Sequence, residues 1–308
     1  MSILTITLNP SLDKSTAAEQ VVPEKKIRCE APRYEPGGGG INVSRAIKKM
    51  GGDSLCVYLA GGHSGERITE LLDQEGVKMK VVPAHAPTRE NLVVMDHSRN
   101  EQYRFGMPGE TVTDAELQGI LEEVEKWDGD YIVASGSLPP GAPDNFYGQI
   151  GRIAEKKGIR YVVDTSGKPL HEAVKEKVFL LKPNINELAS LLGKDRIEAR
   201  EQEEYAQKAI AQGTCEMMVV SLGPKGAMLA TKEGISYVMS PTVDTVSAVG
   251  AGDSMVGGMM LALNRGWDKV AAVQYGVAAG TAATMTPGSE LCNGPDVERL
   301  YEWISKTP

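Results

Sequence analysis

Six short runs of apolar and β-branched residues recur along the chain: ILTITL, SLCVYLA, YIVAS, IRYVVD, VFLLKP and MMVVSLG. Between them lie stretches with helical spacing, several ending in glycine, such as INVSRAIKKMG, GERITELLDQEG, NFYGQIGRIAEKKG, INELASLLG and EEYAQKAIAQG. A strand that is apolar throughout must be covered on both faces, and helical crossovers between parallel strands supply that cover. The alternation therefore predicts an α/β fold with a doubly wound, mostly parallel sheet flanked by helices, its crossovers right-handed. Two segments break the rhythm. Residues 13–35 and 88–106 alternate as strands do with no helix between, and HSRN reads as a hairpin turn in the second. They fit either a small antiparallel β lid standing off the main sheet or two surface excursions. No repeat, low-complexity tract or linker divides the chain, so residues 1–308 are expected to form one core domain with the lid segments inserted within it.

The formal charge of −8 and the absence of a long basic block argue against nucleic-acid or anionic-membrane binding. The four cysteines (Cys29, Cys56, Cys215, Cys292) show no C-x-x-C spacing, and the four histidines form no H-E-x-x-H pattern. Free thiols in a reducing cytosol are the expectation, and a zinc site is not. No run of about twenty apolar residues occurs. The uncharged stretch YGVAAGTAATMTPG reads as a buried helix whose small residues permit close packing. The chain is expected in the cytoplasm, with small molecules as its partners.

Open parallel sheets bind ligands beyond the carboxyl ends of their strands, so the loops there carry the chemistry. A Walker A sequence is absent, and GAGDSM fails the dinucleotide fingerprint because Met255 stands at the third glycine. GSLPPG is not a nucleophile elbow. The loop VSAVGAGDSM offers something else. In it Gly250, Ala251 and Gly252 precede a lone carboxylate, Asp253, at the predicted start of a helix. An acid facing the helix macrodipole would explain Asp253 alone. Phosphoryl transfer to a hydroxyl would explain the glycines as well: backbone amides of Ala251, Gly252 and Asp253 receive the phosphoryl oxygens while Asp253 takes the hydroxyl proton.

GGGGINVSRAIKKMGG near the start and VGAGDSMVGG near the end resemble the two signature regions of the ribokinase-type (PfkB) sugar kinases, with GSLPPG, KPNINE and SLGPKGA between them in the family's order. NPSLD, APRYEPGGGG and EQYRF point within that family to the phosphosugar kinases. The resemblance covers essentially the whole chain. It implies a ribokinase-like fold and an ATP-dependent, Mg2+-assisted kinase, with K+ as a further ion. The implied acceptor is fructose 6-phosphate, phosphorylated at its C1 hydroxyl. Tagatose 6-phosphate, fructose 1-phosphate or a free sugar are alternative acceptors, and a non-catalytic sugar-phosphate or nucleotide sensor is the alternative of another class.

Carried over position by position, the resemblance assigns Asp13, Gly37, Gly38, Gly39, Gly40 and Asn42 to the sugar. The alternative for Asp13 is a turn aspartate. A sugar phosphate fits the cations of the lid segments, Lys26, Arg28, Arg89 and Arg104, unless these are ordinary solvated charges, and Ser137 joins them. Asn184 and Glu187 would face the nucleotide phosphates, with Glu187 holding Mg2+ through water; a helix-capping pair is the other reading, and both can hold. Ser221, Gly223, Pro224, Lys225 and Gly226 would border the adenine and ribose, with Val277 and Thr281 as the far wall. Backbone carbonyls of Ser247, Val249, Ala283 and Gly288 match a K+ site. The family's lids pair across dimers, which implies a homodimer through the lid.

Overall fold

The computed structural model describes residues 2–306. The chain opens with β1 (Ile3–Thr7), β2 (Ser11–Ala18) and β3 (Arg33–Gly37), then α1 (Gly39–Lys49), β4 (Leu55–Ala60), α2 (Gly62–Gln74) and β5 (Lys78–Pro83). A hairpin follows, β6 (Arg89–Asp96) and β7 (Glu101–Phe105), then α3 (Asp114–Lys126), β8 (Tyr131–Ser135), α4 (Phe146–Lys157) and β9 (Arg160–Asp164). Next come α5 (Gly167–Ala173), β10 (Val178–Leu181), α6 (Ile185–Leu191), α7 (Ala199–Ala211) and β11 (Cys215–Ser221). The chain ends with β12 (Ala227–Thr231), β13 (Gly234–Val238), α8 (Ala251–Asn264), α9 (Lys269–Thr284) and α10 (Gly294–Lys306).

The main sheet has nine strands in the order β13-β12-β11-β10-β9-β8-β1-β4-β5. Pairings from β5 to β11 are parallel, and β12 and β13 add antiparallel at one edge. One face packs on α1, α8, α9 and α10 through residues such as Val43, Val256, Met259 and Val297; the other packs on α3 to α7 through Ile120, Phe146, Ile150 and Ala206. This is the doubly wound, ribokinase-like architecture expected. The stretch read as a small-residue buried helix lies in α9, and a Cβ on Gly258 of α8 would come within 2.9 Å of the Ala279 methyl, so the two helices nearly touch at their backbones. No described helix is long and apolar enough to cross a membrane. All four cysteines are free.

Connections from β1 diverge: β4 and β5 extend the sheet to one side, β8 to β11 to the other. The gap between the ends of β1 and β8 is therefore a topological switch point. The N-terminus of α1 is wedged into it. A Cβ on Gly39 would lie 2.6 Å from the Gly136 amide, and one on Gly40 2.7 Å from the Ile6 carbonyl carbon. These two glycines are required by the chain's own backbone before any ligand is considered.

A second sheet, ordered β3-β2-β6-β7, stands off the first and contains both segments expected to form the lid. Its outer pairs, β2–β3 and β6–β7, are antiparallel, and residues 97–100 turn the hairpin. Its central pair, β2–β6, runs parallel over Ser11–Ala18. Alternation has the same period in either direction, so it could not distinguish them.

Candidate active site

The first turn of α8 begins beside α1 with Gly250 at φ 73°, a left-handed conformation that admits glycine readily, and no side chain caps the helix. The amides of its first turn carry the positive end of the helix dipole. Gly252 is exposed, and a Cβ there would meet only the Lys182 ammonium, at 3.5 Å. Asp253 follows, half-buried, and its Oδ2 accepts a hydrogen bond from Asn42 Nδ2 at 2.9 Å. Burial raises the Asp253 carboxyl to about 6, the Asp164 carboxylate pushes the same way, and the Asn42 bond and Lys182 oppose them. Asn42 is itself buried in α1, and its Oδ1 has no partner. A group near neutrality beside a row of backbone donors can accept a proton next to a bound anion.

Beneath this turn lies a pair the sequence reading did not select. Lys182 Nζ and Asp164 Oδ1 are 3.0 Å apart at the carboxyl ends of the adjacent strands β10 and β9, both largely buried. Burial pulls the Lys182 ammonium down, but Asp164, Glu187 and Asp253 together leave it raised, so it stays charged. One cation thus sits among three carboxylates. Its signal in the sequence was a single charged residue closing each of two apolar strands, VVD and LLK.

Asn184 caps α6 and Glu187 returns the bond, the Asn184 side chain accepting from the Glu187 amide at 2.9 Å and Glu187 Oε2 from the Asn184 amide at 2.8 Å. The capping reading therefore holds. It leaves Glu187 Oε1 without a role in the cap, and burial together with the nearby Asp164 raises this carboxyl. Asn184 also bridges Ser221, bringing the next loop alongside. There Gly223, Pro224 and Lys225 form an exposed turn of 3-10 helix. Gly226 has φ 97°, and a Cβ on it would lie 2.8 Å from the Ser240 amide. Ser240 in turn bonds Thr281 through its hydroxyl at 2.7 Å, which places Val277 and Thr281, one turn apart on α9, behind the same loop. All of the residues read as nucleotide contacts are thus neighbours.

On the other side of Asp253 the second sheet presents one face. Ser11, Asp13, Arg89, Asn91 and Arg104 share it, by registers Ser11–Arg89, Asp13–Asn91 and Val93–Arg104. Asp13 Oδ1 accepts from Ser11 Oγ and Asn91 Nδ2, and a Cβ on Gly37 would lie 2.7 Å from the Asp13 carboxyl carbon. Gly38, at φ 118°, is the N-cap residue of α1. Arg89 is anchored rather than free: its guanidinium donates to the carbonyls of Asn9, Pro10 and Met107. Burial lowers it and Asp13 counters. Arg104 is exposed and bonds Gln102. Ser137 is exposed and accepts from Asn9 Nδ2 at 3.1 Å. Lys26 and Arg28 are not brought here. They lie on the exposed connection from β2 to β3, which leaves the far end of β2 and is held there by Val21 on Asp96 and Glu30 on Ala17.

The backbone segments read as a K+ site do meet. Val246 and Ser247 donate to the Thr284 carbonyl, and Ser247 Oγ donates to the Gly288 carbonyl at 3.3 Å, with Val249 and Ala283 beside them.

A family model described as pfkB family carbohydrate kinase matches residues 6–295. The chain is 42% identical to the ATP-dependent 6-phosphofructokinase isozyme 2 of Escherichia coli, over 99% of each chain. It is 41% identical to the protein of the same name from Mycobacterium tuberculosis, over 97% of this chain and 89% of that one. A crystal structure of the Escherichia coli phosphofructokinase-2 with substrates and products superposes with a TM-score of 0.96 at 42% identity, covering 99% of this chain and 100% of that one. The fold is therefore shared over essentially the full length of the chain. The chain belongs to the pfkB family of carbohydrate kinases.

Proposed function

We propose that this protein is an ATP-dependent 6-phosphofructokinase that transfers the γ-phosphoryl of ATP to the C1 hydroxyl of fructose 6-phosphate, giving fructose 1,6-bisphosphate. The observation that carries this reading is Asp253, oriented by Asn42 beside the uncapped first turn of α8. Asp253 takes the hydroxyl proton as the C1 oxygen attacks. The amides of Ala251, Gly252 and Asp253 receive the charge on the phosphoryl oxygens, and Lys182, whose ammonium would lie 3.5 Å from a Cβ on Gly252, adds a fixed positive charge below them. Asp13, Asn42 and the edge at Gly37–Gly40 orient the sugar, with Arg89, Arg104 and Ser137 toward its phosphate. Asn184, the Ser221–Gly226 turn and the Val277–Thr281 wall hold the nucleotide.

A magnesium ion suits the residues present. Glu187 uses only Oε2 in the cap and has Asp164 near it, which suits an ion that keeps its waters and leans on substrate phosphates. Glu187 would hold it through water, and Asp164 stands near. Bound, it would neutralise phosphate charge. The carbonyls at Ser247, Val249, Ala283 and Gly288 would hold K+. The half-buried apolar residues of the lid (Leu92, Val93, Met95), with Phe105 exposed, support a homodimer in which lids pair.

Initial rates of ADP release with fructose 6-phosphate, tagatose 6-phosphate, fructose 1-phosphate and fructose test the reading. Fructose 6-phosphate is expected to give the highest kcat/KM. A preference for another sugar would change the acceptor and keep the mechanism. Binding of ATP with no turnover of any of the four would refute the assignment in favour of a sensor.

A further inference from the structure

Arg45 is the bulkiest side chain to be fully buried in the described chain, 2% exposed, yet its guanidinium hydrogen-bonds none of the residues assigned to substrate. It lies on α1, one turn past Asn42. Its guanidinium makes a bidentate pair with Glu75 at the end of α2, Nε–Oε2 2.8 Å and Nη2–Oε1 2.7 Å. Its Nη1 donates to two carbonyls, Pro36 at 2.9 Å and Ser289 at 3.2 Å. Glu35 completes the cluster. It is 3.8 Å from Arg45, and its Oε2 accepts from the Ser289 hydroxyl at 2.9 Å and the Ser289 amide at 3.3 Å.

Each carbonyl belongs to one half of the reaction. Pro36 precedes Gly37, whose α-carbon lies against the Asp13 carboxylate, so it fixes the base of the sugar lid. Ser289 belongs to the loop running into Leu291, whose side chain occupies the space a Cβ on Gly250 would need. That loop therefore backs the start of α8, where Ala251 to Asp253 lie. A planar, always-charged donor array can hold two carbonyls and a carboxylate in one rigid geometry, which an ammonium cannot.

We propose that Arg45 is a positioning residue that locks the base of the lid and the loop behind the α8 N-terminus into one unit, setting the distance between acceptor sugar and phosphoryl hole. The consequences for turnover rest on the kinase reading above. Arg45 makes no direct hydrogen bond to the nucleotide side, Ser221–Gly226 and Val277–Thr281.

Arg45→Met, Arg45→Lys and Glu75→Gln test this on the full-length protein. For Arg45→Met the KM for fructose 6-phosphate should rise and kcat per folded site fall, each by about tenfold or more, since misplacements near 1 Å carry such costs. The dissociation constant for a non-hydrolysable ATP analogue should stay within about twofold. Arg45→Lys should recover part of the loss and Glu75→Gln should show the same pattern more weakly. Without any ligand, amide hydrogen exchange should quicken together at residues 34–40 and 286–291. If Arg45→Met does not fold, Glu75→Gln decides. A folded Arg45→Met or Glu75→Gln with unchanged KM and kcat, a loss confined to melting temperature, or exchange quickening in only one segment would overturn the proposal. A wild type inert toward fructose 6-phosphate would refute the kinase reading instead, leaving the exchange experiment to judge the coupling.

Discussion

Asn42 Nδ2 lies 2.9 Å from Asp253 Oδ2, joining two helices 211 residues apart in sequence and leaving the second oxygen of that carboxylate for a substrate. The bond favours the ionised form and fixes its direction. Asn42→Ala should therefore raise the Asp253 pKa above about 6 and lower kcat/KM by about 10- to 100-fold. Asn42→Asp should be worse, because a second carboxylate at that distance repels the first. Rates for both variants near neutral pH check the ordering.

The raised Asp253 pKa is also a statement about stability. Folded Asp253 holds its proton more tightly than the unfolded chain does, so its cost is absent below the unfolded value of 3.8 and grows as pH rises to about 6. Asp253→Asn should stabilise the protein at pH 8, by up to about 3 kcal/mol, and change it little near pH 4. Denaturation midpoints for both proteins at the two pH values measure this with no substrate present. Equal effects at both would show that burial does not strain the carboxylate.

Two glycines separate folding from chemistry. Gly40→Ala would press a methyl into the Ile6 carbonyl and should cost about 1–3 kcal/mol. Gly252→Ala lies on open helix and should hold or raise stability, alanine being the better helix former by about 0.8 kcal/mol. Its methyl would fill the space above Lys182, so kcat should fall by about 10²-fold. Melting temperatures and rates for the pair should invert.

Lys182 is the counterion of a buried acidic cluster. Lys182→Met leaves Asp164 unpaired and should cost about 3–5 kcal/mol. The double variant with Asp164→Asn should regain most of that stability and none of the activity. Recovery of activity in the double variant would show that the pair is only structural.

Much of this architecture was legible in the sequence because β1, β4 and β8 to β11 are buried on both faces and read as unbroken apolar runs. The lid's outline was visible and its parallel centre was not, since β2–β6 pairing is set by how the chain returns from β5. Four glycines at 37–40 invited a ligand, yet Gly39 and Gly40 are demanded by Ser135, Gly136 and Ile6. Asp253 stood out because its neighbours are small. Asp164 and Lys182 escaped because each is one charge at the end of an apolar run, and only strand adjacency makes them a pair. Lys26 and Arg28 were grouped with Arg89 by charge, whereas the fold carries their loop to the far end of the lid.

The most direct test of the central claim compares wild type and Asp253→Asn with saturating fructose 6-phosphate and Mg·ATP, following fructose 1,6-bisphosphate by phosphorus NMR. Rapid formation of a C1 phosphate by the wild type, slowed at least about 10²-fold in a folded variant that still binds both substrates, is the predicted result. A variant turning over at the wild-type rate would contradict the role of Asp253 and the mechanism built on it.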